Sequence, residues 1–98
     1  MAVKVFIERE IEEGRELDIY NSLIKLRARA MRAHGYISGE TLVSYDNPQR
    51  YLVISTWNSL EDWNRWEESD ERKAIEAEIS HYLKSPPKIS IYRYEIGS

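Results

Sequence analysis

All three tryptophans of the chain, Trp57, Trp63 and Trp66, fall in the stretch Ser55-Thr56-Trp57-Asn58-Ser59-Leu60-Glu61-Asp62-Trp63-Asn64-Arg65-Trp66. An indole is a broad apolar plate with a single N–H donor, so a group of them makes a wall for a flat ring. The same spacing also suits plain core packing, which is the alternative reading of the three. Few residues near this stretch can move a proton or hold a charge. His34 is the candidate base, because an unperturbed imidazole titrates at about pH 6.5. Arg9, at the end of an apolar run, is the candidate holder of an anion, and Tyr45 is a further candidate ligand contact. His81 reads as a surface histidine. The two histidines show no paired spacing, so no metal site is expected. With no cysteine, thiolate ligands, a cysteine nucleophile and disulfides are excluded.

The elements that must position these residues follow from periodicity. Ala2–Arg9 alternates as a strand, with Val3, Val5 and Ile7 on one face and Lys4, Phe6 and Glu8 on the other. Arg15–Ala33 has helical spacing: Leu17, Tyr20, Ile24, Ala28 and Met31 form a stripe that Ile19, Leu23, Leu26 and Ala30 widen. Its basic last turn suits the helix dipole, and Gly35 suits its end. Tyr36–Tyr45 reads as a second strand in which Gly39 marks a bulge or a close approach. Asp46-Asn47-Pro48-Gln49 reads as a turn, and Tyr51–Trp57 pairs back as a third strand.

From Leu60 the period changes from two to 3.6. Asn58 reads as an N-cap reciprocated by Glu61, and Leu60, Trp63 and Trp66 share one face of a helix over residues 59–68. Ser69 caps a third helix over residues 70–83, with Ala74, Ile75, Ala77 or Glu78, Ile79 and Tyr82 inward, and Pro86-Pro87 stops it. Lys88–Ile96 is the last strand.

The order β-α-β-β-α-(α)-β predicts one α+β domain over residues 1–98: a ferredoxin-like split βαβ with a four-stranded antiparallel sheet and helices on one face. Strand three offers Leu52 and Ile54 on one face and Tyr51, Val53 and Trp57 on the other, and strand four sets Tyr92 and Tyr94 opposite Ile89 and Ile91. Helices cover only one face and the second is too apolar to stay bare, so a homodimer packed sheet to sheet is expected. A net charge of −3 and the lack of a basic stripe argue against a nucleic-acid partner. No apolar run approaches a membrane span, and neither a signal peptide nor a cysteine appears, which fits a cytoplasmic protein.

Three stretches carry a resemblance: His34-Gly35-Tyr36-Ile37-Ser38-Gly39-Glu40-Thr41-Leu42, Tyr51-Leu52-Val53-Ile54-Ser55-Thr56-Trp57-Asn58-Ser59, and Trp63-Asn64-Arg65-Trp66 followed by Ser69. With them the chain resembles the antibiotic biosynthesis monooxygenase family of dimeric α/β-barrel proteins from Val3 to Glu95. The resemblance implies a ferredoxin-like protomer, a dimer with facing sheets, and a pocket between sheet and helices.

Characterised members of that family include cofactor-independent monooxygenases of polycyclic phenols or quinols, and haem-degrading enzymes. The haem-degrading members use a first-strand Asn, a helix Trp and a later His. Trp66 matches the Trp position, but the first strand has no Asn and no His lies near Glu76. The histidines that quinol-oxidising relatives carry at the positions of Trp66, Asp62 or Glu71 are also missing. The resemblance therefore implies a cofactor-free monooxygenase that oxidises a small aromatic, a quinol or a polycyclic phenol with O2. A dimeric binding protein without turnover is the alternative, and haem binding or degradation is a third. In the oxygenase reading Trp57, Trp63, Trp66, Arg9 and Tyr45 hold the ligand, His34 takes the proton, and no cofactor or metal is involved.

Overall fold

The computed structural model describes residues 1–95. Alternation of apolar and polar residues produces β1 (Val3–Glu10), β2 (Tyr36–Val43), β3 (Arg50–Trp57) and β4 (Lys88–Arg93). They form one antiparallel sheet in the order β2-β3-β1-β4. The helices are α1 (Glu16–Ala30), α2 (Leu60–Glu67) and α3 (Asp70–Ser80). This is the ferredoxin-like arrangement expected from the element order. No helix among the described residues is long and apolar enough to cross a membrane.

Val3, Val5, Ile7 and Arg9 of β1 and Tyr51, Ser55 and Trp57 of β3 are buried beneath the helices. Ile19, Leu23, Leu26 and Ala30 of α1, Trp63 and Trp66 of α2, and Ile75 and Ile79 of α3 close this core. The opposite sheet face carries Phe6, Leu52, Ile54 and Tyr92. Phe6 and Tyr92 meet edge to face there, with ring centroids 5.2 Å apart.

The details differ from the sequence expectation in several places. Helix α1 buries the Ile19-Leu23-Leu26-Ala30 stripe, while Leu17, Tyr20, Ile24 and Met31 stay exposed. Both stripes have helical spacing, and contact with the sheet selects one of them. In α3, Ala74 and Ala77 are exposed and Arg72 is buried. The cap of α2 lies one residue later than expected. Ser59 Oγ accepts from Asp62 N at 3.1 Å, and Leu60, expected on the face of Trp63 and Trp66, is exposed. Ser69 caps α3 as expected, accepting from Arg72 N.

Helix α1 ends at Ala30 rather than Ala33, α3 at Ser80, and β2 at Val43. Gly35 takes the left-handed conformation, φ 85°, in the turn that follows α1, and its carbonyl accepts from Asn58 N at 2.7 Å. Strand β4 ends at Arg93, and Ile96, the expected end of that strand, lies outside the described residues.

Candidate functional site

The aromatic wall is built by two elements that meet at the strand-to-helix connection. Trp57 is the last residue of β3 and points under the helices. The Ser59 cap fixes how α2 leaves the sheet, so Trp63 and Trp66 fold back onto Trp57. The ring centroids of Trp57 and Trp63 are 5.8 Å apart at 64°, and those of Trp57 and Trp66 are 6.2 Å apart, stacked at 23°. Tyr36 of β2 stands edge-on to Trp57 at 5.4 Å. All three indoles are buried. Trp57 donates its N–H to Ser55 Oγ at 3.0 Å, whereas the buried Trp63 N–H has no partner.

Tyr36 reaches this position because of β2. The register between β2 and β3 slips between Tyr36 and Ser38, and Gly39 then passes under the Tyr36 ring. A Cβ on Gly39 would lie 2.5 Å from the Tyr36 hydroxyl. Of the two readings of Gly39 the close approach is present, while the register irregularity lies before it, between Tyr36 and Ser38, and Gly39 pairs regularly with Ser55.

Between sheet and helices these residues enclose a cavity of about 50 Å³, walled by Trp57, Trp63, Trp66, Tyr36, Leu26 and Val53. Arg9 and Arg72 also line it. Arg9 lies on the buried face of β1, and its side chain is fully withdrawn from solvent. Its Nη2 donates to both carboxylate oxygens of Glu76, at 2.9 and 3.0 Å. Arg72, one turn before Glu76 on α3, donates Nη2 to Glu76 Oε2 at 2.9 Å. Its guanidinium lies 5.3 Å from the centroid of the Trp63 ring. Burial lowers the Arg72 pKa from its ordinary value, Glu76 raises it, and Arg9 beside it lowers it further.

The sequence-derived candidates separate in space. Trp57, Trp63, Trp66 and Arg9 come together around the cavity. His34 does not line it. Instead it lies with Asp62, Arg65 and Trp66 in a shallow groove on the outside of α2, and its side chain is 79% exposed. Tyr45 is fully exposed in the loop after β2 and lines neither place.

Sequence reasoning missed Arg72 and Glu76, whose i,i+4 spacing on a capped helix was the available signal. It also missed Arg27. Arg27 lies at the cavity edge and donates to Thr41 Oγ1 at 3.2 Å. Among the described residues no group of three His, Cys, Asp or Glu is placed to hold a metal ion.

A sequence model of the antibiotic biosynthesis monooxygenase family matches residues 2–78. Protein SchA of Streptomyces halstedii is 23% identical over 82 residues, which are 84% of this chain and 22% of that protein. The chain spans about a fifth of the length of the curated relatives it matches. Among solved structures, a conserved protein from Methanosarcina mazei superposes with a TM-score of 0.92 at 20% identity, covering 97% of this chain and 94% of that one. SnoaB, a cofactor-independent oxygenase from Streptomyces nogalater, superposes with a TM-score of 0.86 at 12% identity, covering 99% and 98%. At these identities the structural likeness is one of fold.

Proposed function

The chain belongs to the antibiotic biosynthesis monooxygenase family, and from that premise we propose that it is a cofactor-independent monooxygenase of a small aromatic phenol or quinol. The observation that carries this reading is the cavity under the helices, where three indoles and a fully buried arginine meet. Such a reaction needs a dry site for an electron-rich ring and donors for the oxyanion that forms as the ring gives up electrons to O2. The substrate supplies all the electrons: one oxygen atom enters the product and the other leaves as water. Trp57, Trp63 and Trp66 exclude water, and Arg9 faces the oxygen-bearing edge of the ring. A cavity of about 150 Å³ accepts benzene in an engineered protein, so about 50 Å³ takes that edge and not the whole ring. Protomers pair through the sheet face that carries Phe6, Leu52, Ile54 and Tyr92.

One observation favours a second reading, a binding protein without turnover. The cavity wall includes neither a histidine nor a carboxylate, and His34 stands on the far side of Trp66. Oxygen uptake with a panel of quinols and polycyclic phenols separates the two. Uptake with one ¹⁸O atom from ¹⁸O2 in the product supports the monooxygenase. Saturable quenching of tryptophan fluorescence without uptake supports the binding protein. Neither response to any member of the panel would reduce the three indoles to packing.

A further inference from the structure

The inner end of the cavity is rich in unused donors. Arg9 and Arg72 each hydrogen-bond Glu76 through Nη2 alone. Arg9 Nε, Arg9 Nη1, Arg72 Nε and Trp63 Nε1 are all buried and have no hydrogen-bond partner. Leaving such groups unpaired is costly, and native structures keep few of them. These four atoms belong to three elements, β1, α2 and α3, whose side chains line one cavity. The two guanidiniums share a single hydrogen-bonded carboxylate, Glu76, and the charge of Glu67 acts on Arg72 more weakly. What the cluster lacks is an acceptor, and an anionic one would also balance the positive charge that one carboxylate leaves on two guanidiniums.

The cavity continues outward. A groove of about 190 Å³, lined by Tyr20, Ile24 and Tyr51 together with Leu23, Arg27 and Thr41, shares the last three residues with it. The Arg27–Thr41 hydrogen bond crosses the junction from α1 to β2. This groove gives a use to Tyr20 and Ile24, apolar residues that the core leaves exposed. It is roomy and apolar, whereas the inner chamber is small and carries the donors.

We propose that the two chambers form one site for an aromatic ligand with a single anionic oxygen head, a carboxylate or an ionised phenol. The head enters the cage of Arg9, Arg72 and Trp63, and the ring lies under the Arg27–Thr41 bridge against Tyr20, Ile24 and Tyr51. For a phenol, the two guanidiniums favour the ionised form, so the site selects the species that reacts with O2 without a base on its wall. The inference rests on the reading of this cavity as the ligand site and adds what that ligand must carry.

The test is fluorescence titration of the whole protein with 2-naphthoate and its neutral isostere 2-naphthamide, repeated on Arg9→Lys and Trp63→Phe. A charge-assisted head group should make naphthoate bind at least about tenfold more tightly than naphthamide. Arg9→Lys should remove most of that preference. Trp63→Phe keeps an aromatic ring in place and removes the N–H donor together with one ring of the indole, so it should also narrow the preference, even if the buried Arg9 variant fails to fold. Equal binding of the two ligands, unchanged in Trp63→Phe, would overturn the anionic head while leaving the aromatic site standing. If neither ligand binds, the cavity is not an aromatic site, and this inference and the proposed function fail together.

Discussion

His34 Nδ1 lies 2.8 Å from Asp62 Oδ1, a contact that ties the turn after α1 to the first turn of α2. The ionised carboxylate only accepts, so the imidazole donates. Asp62 also accepts from Ser59 Oγ at 2.9 Å and from Arg65 Nη1 at 3.1 Å, and it is buried while His34 is exposed. The hydrogen bonds from His34 and Ser59 hold the Asp62 pKa below its ordinary value of 3.8, against an opposing effect of burial, and the charges of His34 and Arg65 lower it further.

A carboxyl whose folded-state pKa is depressed stabilises the fold above its unfolded value. That stability is lost as pH falls from the unfolded value through the lower folded one. Thermal unfolding followed from neutral pH down into the acid range should therefore show a drop below about pH 4. Asp62→Asn should shrink that drop and lower stability at neutral pH. An unchanged acid limb in Asp62→Asn would assign the drop to other carboxylates.

Gly35 is the second residue that this arrangement fixes. Its φ of 85° disfavours a side chain, and a Cβ there would collide with the Asp62 carboxylate. Because Asp62 is held by three side chains, it has little room to yield. Gly35→Ala should cost about 1–3 kcal/mol in chemical denaturation. Gly14, also at positive φ but with open space around it, should tolerate alanine with only the backbone part of that cost.

How much of this was legible in the sequence depended on range. Strand alternation placed Val3, Val5, Ile7 and Trp57 correctly because a period of two leaves only two faces to choose between. Helix α1 carries two apolar stripes, and periodicity gives their spacing but not which one meets the sheet. The outer stripe was read as core for that reason, although its Tyr20 and Ile24 line a groove. The cap at Ser59 was misplaced by one residue because Asn58 and Ser59 are both good cap types. The Arg9–Glu76–Arg72 cluster joins residues far apart in the chain and leaves only a faint local signal. His34 is the candidate base by type, and its place beside Asp62 of α2, outside the cavity wall, depends on the turn after α1, which periodicity does not describe.

The indoles themselves make a stability prediction. Trp66 is 5% exposed and stacks on Trp57, so it serves the core as well as the cavity. Trp66→Ala should destabilise the protein by about 3–5 kcal/mol in denaturant unfolding. Trp66→Phe keeps part of the stack and should cost less. A loss under about 1 kcal/mol for Trp66→Ala would mean that the ring adds little to packing.

The last prediction concerns the sheet face that no helix covers. Cross-strand neighbours share a face, so the pairs Leu42–Leu52 and Glu40–Ile54 set Leu42 and Ile54 on the same side as Phe6 and Tyr92. Leu42, Leu52, Ile54, Phe6 and Tyr92 share this face, spread over β2, β3, β1 and β4, and make a patch that is favourable to bury. The charges around it are mixed, with Lys4 and Lys88 beside Glu8 and Glu40, so a two-fold partner can meet it without net repulsion. Light scattering of the purified protein should give twice the protomer mass. Ile54→Asp places a carboxylate in the middle of that face and none in the core beneath the helices, so it should yield a folded monomer. If Ile54→Asp remains a dimer, the contact lies elsewhere, and the exposed stripe of Leu17, Tyr20, Ile24 and Met31 on α1 is the next surface to mutate.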